Sequence, residues 1–177
     1  MKIRVATNRD RDSIYQIHYS AFPEVERELI AQLAVNLQAE TITTPPVISL
    51  VAEIANTVVG HVACSPIFTA EAKDFLGYIL APLAVRPEYQ NSGLGSQLVK
   101  QAIQQLSQMD INILLVYGDP NYYGRFGFHA DLAESYLPPY ELEYAFGWQA
   151  LKLNDSEITN LPVKITCVEA LEDPQLW

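Results

Sequence analysis

Between Lys2 and Ala6 apolar and polar residues alternate, which predicts a first β-strand. Thr7-Asn8-Arg9-Asp10 then has the make-up of a helix capping box. Ile14, Ile17, Ala21 and Phe22 behind it form the apolar stripe of a helix that Pro23 ends. A second stripe of Val25, Leu29, Leu33 and Leu37 predicts a helix over 24–39, and Thr43-Thr44-Pro45-Pro46 reads as a loop. Val47 to Ala55 and Val58 to Pro66 form a hairpin around Asn56-Thr57, and Phe75 to Val85 forms a central strand. Leu94, Leu98, Ala102, Ile103, Leu106 and Met109 return to helical spacing. The apolar run Ile111 to Tyr117, closed by Gly118-Asp119-Pro120, is a buried strand and turn. Phe146 to Leu153 is a late strand, and Val163 to Val168 alternates like an edge strand. Strand, helix and strand between residues 76 and 117 make a parallel crossover. The pattern describes one α/β domain without repeats or low-complexity linkers.

Composition narrows the class. With 177 residues, 49% apolar and 18% charged, the chain suits one globular domain with a full core. No apolar run reaches membrane-spanning length, and Met1-Lys2-Ile3-Arg4 lacks a signal-peptide core, so a cytoplasmic protein with no membrane partner is expected. Cys64 and Cys167 are the only cysteines and lie far apart, which suggests neither a disulfide framework nor a metal site. A net charge of −10 argues against nucleic acid as partner and favours cationic acceptors such as amines.

Candidate chemistry concentrates in Leu83-Ala84-Val85-Arg86-Pro87-Glu88-Tyr89-Gln90-Asn91-Ser92-Gly93-Leu94-Gly95-Ser96. An apolar strand runs into a glycine-bearing turn that feeds a helix. Such a helix start is an anion site, because its first N–H groups lack helical partners and the macrodipole adds positive potential. A phosphorylated cofactor is therefore expected. A P-loop is excluded, since Gly95 is followed by Ser96-Gln97 rather than Lys-Ser or Lys-Thr. A dinucleotide fingerprint fits poorly, with Leu98 where its third glycine belongs. The remaining pattern, Gln-x-x-Gly-x-Gly after Leu-Ala-Val, resembles motif A of the GNAT superfamily of acetyl-CoA-dependent N-acyltransferases. Further along, Tyr122-Tyr123-Gly124-Arg125-Phe126-Gly127-Phe128 resembles the GNAT element Tyr-x-x-x-Gly-Phe, with Tyr123 on the catalytic-tyrosine position. The wider string from Gly118 to Phe128 is similar to a bacterial subgroup of N-acetyltransferases whose acceptors are mostly unassigned.

The resemblance covers about residues 1 to 153 and implies a GNAT fold, a mixed central sheet of about seven strands flanked by about four helices. Residues 154–177 would be a C-terminal extension packed on the same domain, and a homodimer stays open. The resemblance places acetyl-CoA as co-substrate, without a metal. Its pyrophosphate would lie on Gln90, Asn91, Ser92, Gly93, Leu94, Gly95 and Ser96, and its pantetheine amides along the backbone of Leu83, Ala84 and Val85. Tyr123 would protonate the departing thiolate. The acceptor would be a primary amine of a small molecule or peptide, attacking directly, so that Cys64 need not act as nucleophile. An alternative is a catalytically idle acyl-CoA-binding sensor or regulatory module; a third reading is a structural protein with a GNAT-like shell. Candidates for a base are Glu24, Glu26, Glu28, His61 and Asp119, with a water chain or no dedicated base equally open, and the residues alone do not choose. Each also has a structural reading: solvated helix caps for the glutamates, a hydrogen-bonded core histidine for His61, a turn for Asp119. Arg125 reads as a surface or helix-capping ion pair, residues 129–145 with Tyr136, Tyr140 and Tyr144 as a loop over the acceptor side, and the aromatic cluster from Tyr136 to Trp148 as loop packing or the lining of a cation-binding pocket.

Overall fold

The computed structural model describes residues 1–40, 43–155, 158 and 161–177. Strand β1 (Lys2–Val5) pairs antiparallel with β2 (Ile48–Ile54), and β2 with β3 (Thr57–Thr69). The β2–β3 hairpin turns through Ala55 and Asn56, both at positive φ (48° and 63°), one residue earlier than the expected Asn56-Thr57. Two left-handed residues are the geometry that matches strand twist. Helices α1 (Arg11–Ala21) and α2 (Arg27–Ala39) lie between β1 and β2 in sequence. After β4 (Phe75–Val85) come α3 (Leu94–Gln108), β5 (Ile113–Tyr117), α4 (Pro120–Tyr123), β6 (Tyr136–Leu137), β7 (Trp148–Lys152) and β8 (Val163–Thr166). The hydrogen-bonded order is β1-β2-β3-β4-β5-β7, with β8 on β3 and β6 on β8. Among the described residues there are thus eight strands where about seven were expected. The addition is β6, whose two residues are too short to carry a period.

The chain divides into two compact units: Met1–Cys64 with Ala81–Ala102, and Ser65–Leu80 with Ile103–Trp177. In the first, Ile14, Ile17, Ala34, Val35, Val51, Val58 and Ala84 form one buried cluster, with Phe22 packed against it. The Asp10 carboxylate reaches back to the Thr7 N–H (2.7 Å) and hydroxyl (2.9 Å), as the capping box requires. Val25 departs from its expected place on the second stripe. It is 89% exposed, because the Pro23 carbonyl accepts from both Glu26 and Arg27 N–H and the helix proper starts at Arg27. A Cβ on Gly60 would stand 3.0 Å from Leu94 and from Leu98, so α3 lies close against β3 there.

In the second unit β4 runs parallel to β5 with Tyr78, Ile79 and Leu80 opposite Leu114, Leu115 and Val116. Strand β7 pairs antiparallel with β5 on its other edge. Residue 77 must be glycine, since a Cβ there would fall 2.4 Å from Ile113 Cγ2 and 2.5 Å from its carbonyl oxygen. Strand β8 pairs with Phe68 and Thr69 of β3. The Trp177 ring lies 6.0 Å from that of Trp148, whose indole N–H donates to the Tyr136 carbonyl (2.7 Å). Phe146, expected to open the late strand, instead sits 67% exposed in a 3-10 turn just before it.

Candidate active site

The first unit holds Leu83–Val85 and Gln90–Ser96 together. Strand β4 ends where the Arg86 N–H bonds to the Val59 carbonyl (2.8 Å) and its guanidinium to the Val58 carbonyl (3.1 Å). Pro87–Tyr89 make a 3-10 turn, and the Gln90 amide donates back to the Val85 carbonyl (3.0 Å), tying the turn to the strand. The Ser92 hydroxyl donates to the Tyr89 carbonyl (2.6 Å), which tightens the turn again. Asn91 (φ 58°) and Gly93 (φ 81°) take left-handed backbone, and α3 opens with Gln97 N–H on the Gly93 carbonyl (3.1 Å). The N–H groups of Gly93, Leu94, Gly95 and Ser96 are consequently the ones that an α-helix leaves without an internal acceptor. No acidic side chain occupies that first turn. Asn91, Ser92 and Gly93 are exposed, and nothing stands within 4 Å of where a Gly93 Cβ would be, so glycine is needed there for conformation rather than room. Leu94 is buried and anchors the helix start. Leu83, Ala84 and Val85 lie past the Tyr78–Leu80 register with β5, and Pro82 just before them has no N–H to donate.

The second unit holds Tyr123. Asp119 caps α4: its carboxylate accepts from Asn121 N–H (2.9 Å) and its carbonyl from Tyr122 (3.0 Å) and Tyr123 (2.9 Å). The Tyr123 ring packs under Gly118, where any Cβ would come within 2.5 Å of it, and meets the rings of Tyr122 (5.0 Å) and Phe128 (5.7 Å) edge-on. Gly127, at φ 92°, ends the following 3-10 turn. The Tyr-x-x-x-Gly-Phe spacing is therefore a local fold that fixes one tyrosine ring. Arg125 makes a different contact from the expected ion pair. Its guanidinium lies 4.6 Å over the Tyr122 ring and donates to the Tyr122 carbonyl (3.1 Å).

Most of the candidate bases have structural work. Glu24 pairs with Arg27 (3.3 Å), and Glu28 accepts from the Tyr15 hydroxyl (2.8 Å), which raises that phenol's pKa. Glu26 is exposed in the turn before α2. Asp119 is the helix cap just described. His61 is wholly buried, with Nδ1 2.8 Å from His18 Nε2 and Nε2 2.9 Å from the Ser49 hydroxyl. Burial pushes His61 down to about 3 and His18 well below the usual histidine range, the latter helped by His61 beside it. His18 and Ser49 escaped the sequence reading. His18 does fall on the Ile14–Ile17 stripe, so its burial was implicit in the helical period. Cys64 and Cys167 are free and buried, and burial pushes both thiols up to about 12, which leaves neither as a ready nucleophile. Among the described residues no group of three or more His, Cys, Asp and Glu side chains could hold a metal ion, and no helix is long and apolar enough to cross a membrane.

Residues 11–128 match the model of the acetyltransferase (GNAT) family. An uncharacterized N-acetyltransferase of Escherichia coli K12, YjhQ, is 31% identical over 170 residues, which span 93% of this chain and 91% of that protein. Two solved structures share the fold over 96% of this chain, each at 26% identity. One is the GNAT family N-acetyltransferase YhbS of Escherichia coli in complex with CoA (TM-score 0.82, 90% of its chain covered). The other is a GNAT family acetyltransferase of Brucella melitensis in complex with acetyl-CoA (TM-score 0.75, 96% covered).

Proposed function

The chain belongs to the GNAT acetyltransferase family, and from that premise we propose that it transfers an acetyl group from acetyl-CoA to a primary amine of a small molecule or peptide. The observation that carries this reading is the turn from Gln90 to Ser96, exposed over Gln90 to Gly93, where four N–H groups without helical acceptors open α3 and no acidic side chain lies in its first turn. The CoA and acetyl-CoA complexes of the two similar structures support the choice of ligand.

Bound there, acetyl-CoA supplies a thioester carbon for the amine to attack. The N–H groups of Gly93 to Ser96 hold the pyrophosphate. The backbone of Leu83, Ala84 and Val85 takes the pantetheine amides as an added strand and offers an N–H to the thioester carbonyl. Such a donor stabilises the tetrahedral intermediate by about 3 kcal/mol. Tyr123 donates its phenolic proton to the leaving thiolate; a phenol near pKa ~10 and a thiol near ~8.5 are matched closely enough for transfer. The amine attacks directly, and the raised thiol of Cys64 argues against an acyl-enzyme. On this reading residues 1–153 carry the reaction and residues 154–177 extend that domain. The free cysteines suit a reducing cytoplasm.

The test is release of free CoA from acetyl-CoA with a panel of primary amines, in wild type and Tyr123→Phe. We expect turnover with at least one amine and a kcat roughly 100-fold lower in the variant, with acetyl-CoA affinity kept. Tight acetyl-CoA binding with no release for any amine would instead favour the sensor reading.

A further inference from the structure

We propose that the exposed aromatic stretch beside Tyr123 selects an acceptor with a second positive charge, a linear aliphatic diamine or longer polyamine. Tyr144 and Phe146 take its alkyl stem, and Glu141 and Glu143 hold the ammonium that does not react. The inference rests on the acetyl-transfer reading above. Every residue it uses belongs to the second unit.

The stretch stands on a fixed platform. The Tyr144 N–H donates to the Tyr117 hydroxyl (2.8 Å), and the Gly118 N–H to the Gly147 carbonyl (2.9 Å). Gln149, only 2% exposed, donates its amide to the carbonyls of Gly118 (3.1 Å) and Gly147 (3.3 Å). At the other end the Tyr140 hydroxyl donates to the Glu172 carbonyl (3.1 Å), and its ring lies 6.4 Å from that of Trp177. Gly118 is also the residue whose missing Cβ leaves room for the Tyr123 ring. The stretch is thus tied through one glycine to the tyrosine of the proposed reaction, and little ordering is left to be done on binding.

Two rings on this platform face water. Phe146 is 67% and Tyr144 54% exposed, with centroids 5.8 Å apart. Together they offer about 200–300 Å² of aromatic surface. A stable protein interface needs roughly 800 Å² from each partner, so the patch is far too small for a folded partner. It suits a stem of a few methylenes.

Charge then chooses among small ligands. The second unit has 13 acidic and 4 basic side chains, a net charge of −9; the first has 8 and 7, a net charge of −1. Nearly all of the protein's negative charge therefore lies on the unit that holds Tyr123. From Phe126 to Leu151 there is no Lys or Arg. Glu141 and Glu143 are exposed on either side of half-buried Leu142. The ion pairs of the described residues all use Arg4 or Arg27 and leave both glutamates unneutralised. An ammonium gains here from carboxylates and from the faces of the rings. The attacking amine must be neutral, so it cannot keep that gain as it reacts. A second ammonium on the same stem can.

The test compares CoA release with 1,5-diaminopentane and with n-pentylamine at saturating acetyl-CoA. Wild type should prefer the diamine at least tenfold in kcat/KM, mostly through KM, which exceeds the factor of about two expected from its two reactive ends. In Glu141→Gln/Glu143→Gln, checked for folding by thermal unfolding, the preference should fall to within about threefold. Phe146→Ser should raise KM for both amines, since both lay a stem on the ring. Equal use of the two amines by wild type, or a preference that survives in the double variant, overturns the proposal and leaves the acetyl-transfer reading standing. So does a lysine-rich peptide used at least tenfold better than the diamine. If neither amine is acetylated, calorimetric titration with 1,5-diaminopentane decides. Saturable binding that the double variant loses sustains the cation site without the reaction, and no binding overturns it.

Discussion

Arg4 donates to Asp10 and Glu53 at once, with ion pairs of 2.8 Å to each, while Asp10 also takes the N–H and hydroxyl of Thr7. The Arg4 guanidinium first, then the Thr7 donors, hold the Asp10 carboxyl well below the usual range against the opposing effect of burial. Asp10→Ala would strip a nearly buried node of three partners and should cost about 2–4 kcal/mol of stability, read from urea unfolding. The histidine pair gives a distinct pH signature. The unfolded chain binds protons at His18 and His61 below pH 6.5, and the folded chain resists them until far lower. Stability is therefore whole above pH 6.5 and is lost as pH falls from there toward about 3, with Asp10 adding to the loss only below 3.8. We expect unfolding free energy roughly 4 kcal/mol lower at pH 5 than at pH 7, about half from each histidine, and nearly flat from pH 7 to 8. A His61→Gln variant should roughly halve that slope, leaving the share of His18.

Elements with a strong period were legible. The stripe of Leu94, Leu98, Ala102 and Leu106 became the buried face of α3, and Phe75–Val85 became β4 with the bounds read from the sequence. Positions that depend on a partner far along the chain were not. Strand β6 exists because Tyr136 and Leu137 pair with Val163 and Lys164, and no local pattern announces that. Val25 sat in phase with Leu29, yet Pro23 set the turn that left it in solvent. Of the candidate site, the turn residues and Tyr123 were legible because glycine spacing is a local backbone requirement. Ser49 and His18 were not, because their meeting with His61 depends on packing α1 over β2 and β3. Close packing between elements also yields a test. Gly77→Ala would force a methyl into the backbone of Ile113 across the β4–β5 ladder, and should cost more than about 3 kcal/mol or abolish folding, as scored by thermal unfolding.

For the molecule as a whole, a net charge of −10 repels an anionic ligand at long range, so the proposed site must work through short-range N–H dipoles at the start of α3. Association with acetyl-CoA should accordingly quicken as salt is raised from 20 to about 150 mM, because screening removes the repulsion before it weakens the local contacts. The most direct test of the central claim is calorimetric titration of acetyl-CoA into the wild type and into Gly93→Glu. We predict saturable one-site binding by the wild type, and at least a tenfold weaker affinity in a folded variant whose carboxylate stands where the pyrophosphate would lie. A wild type that does not bind, or a variant that binds equally well, would contradict the assignment of the Gln90–Ser96 turn to acetyl-CoA.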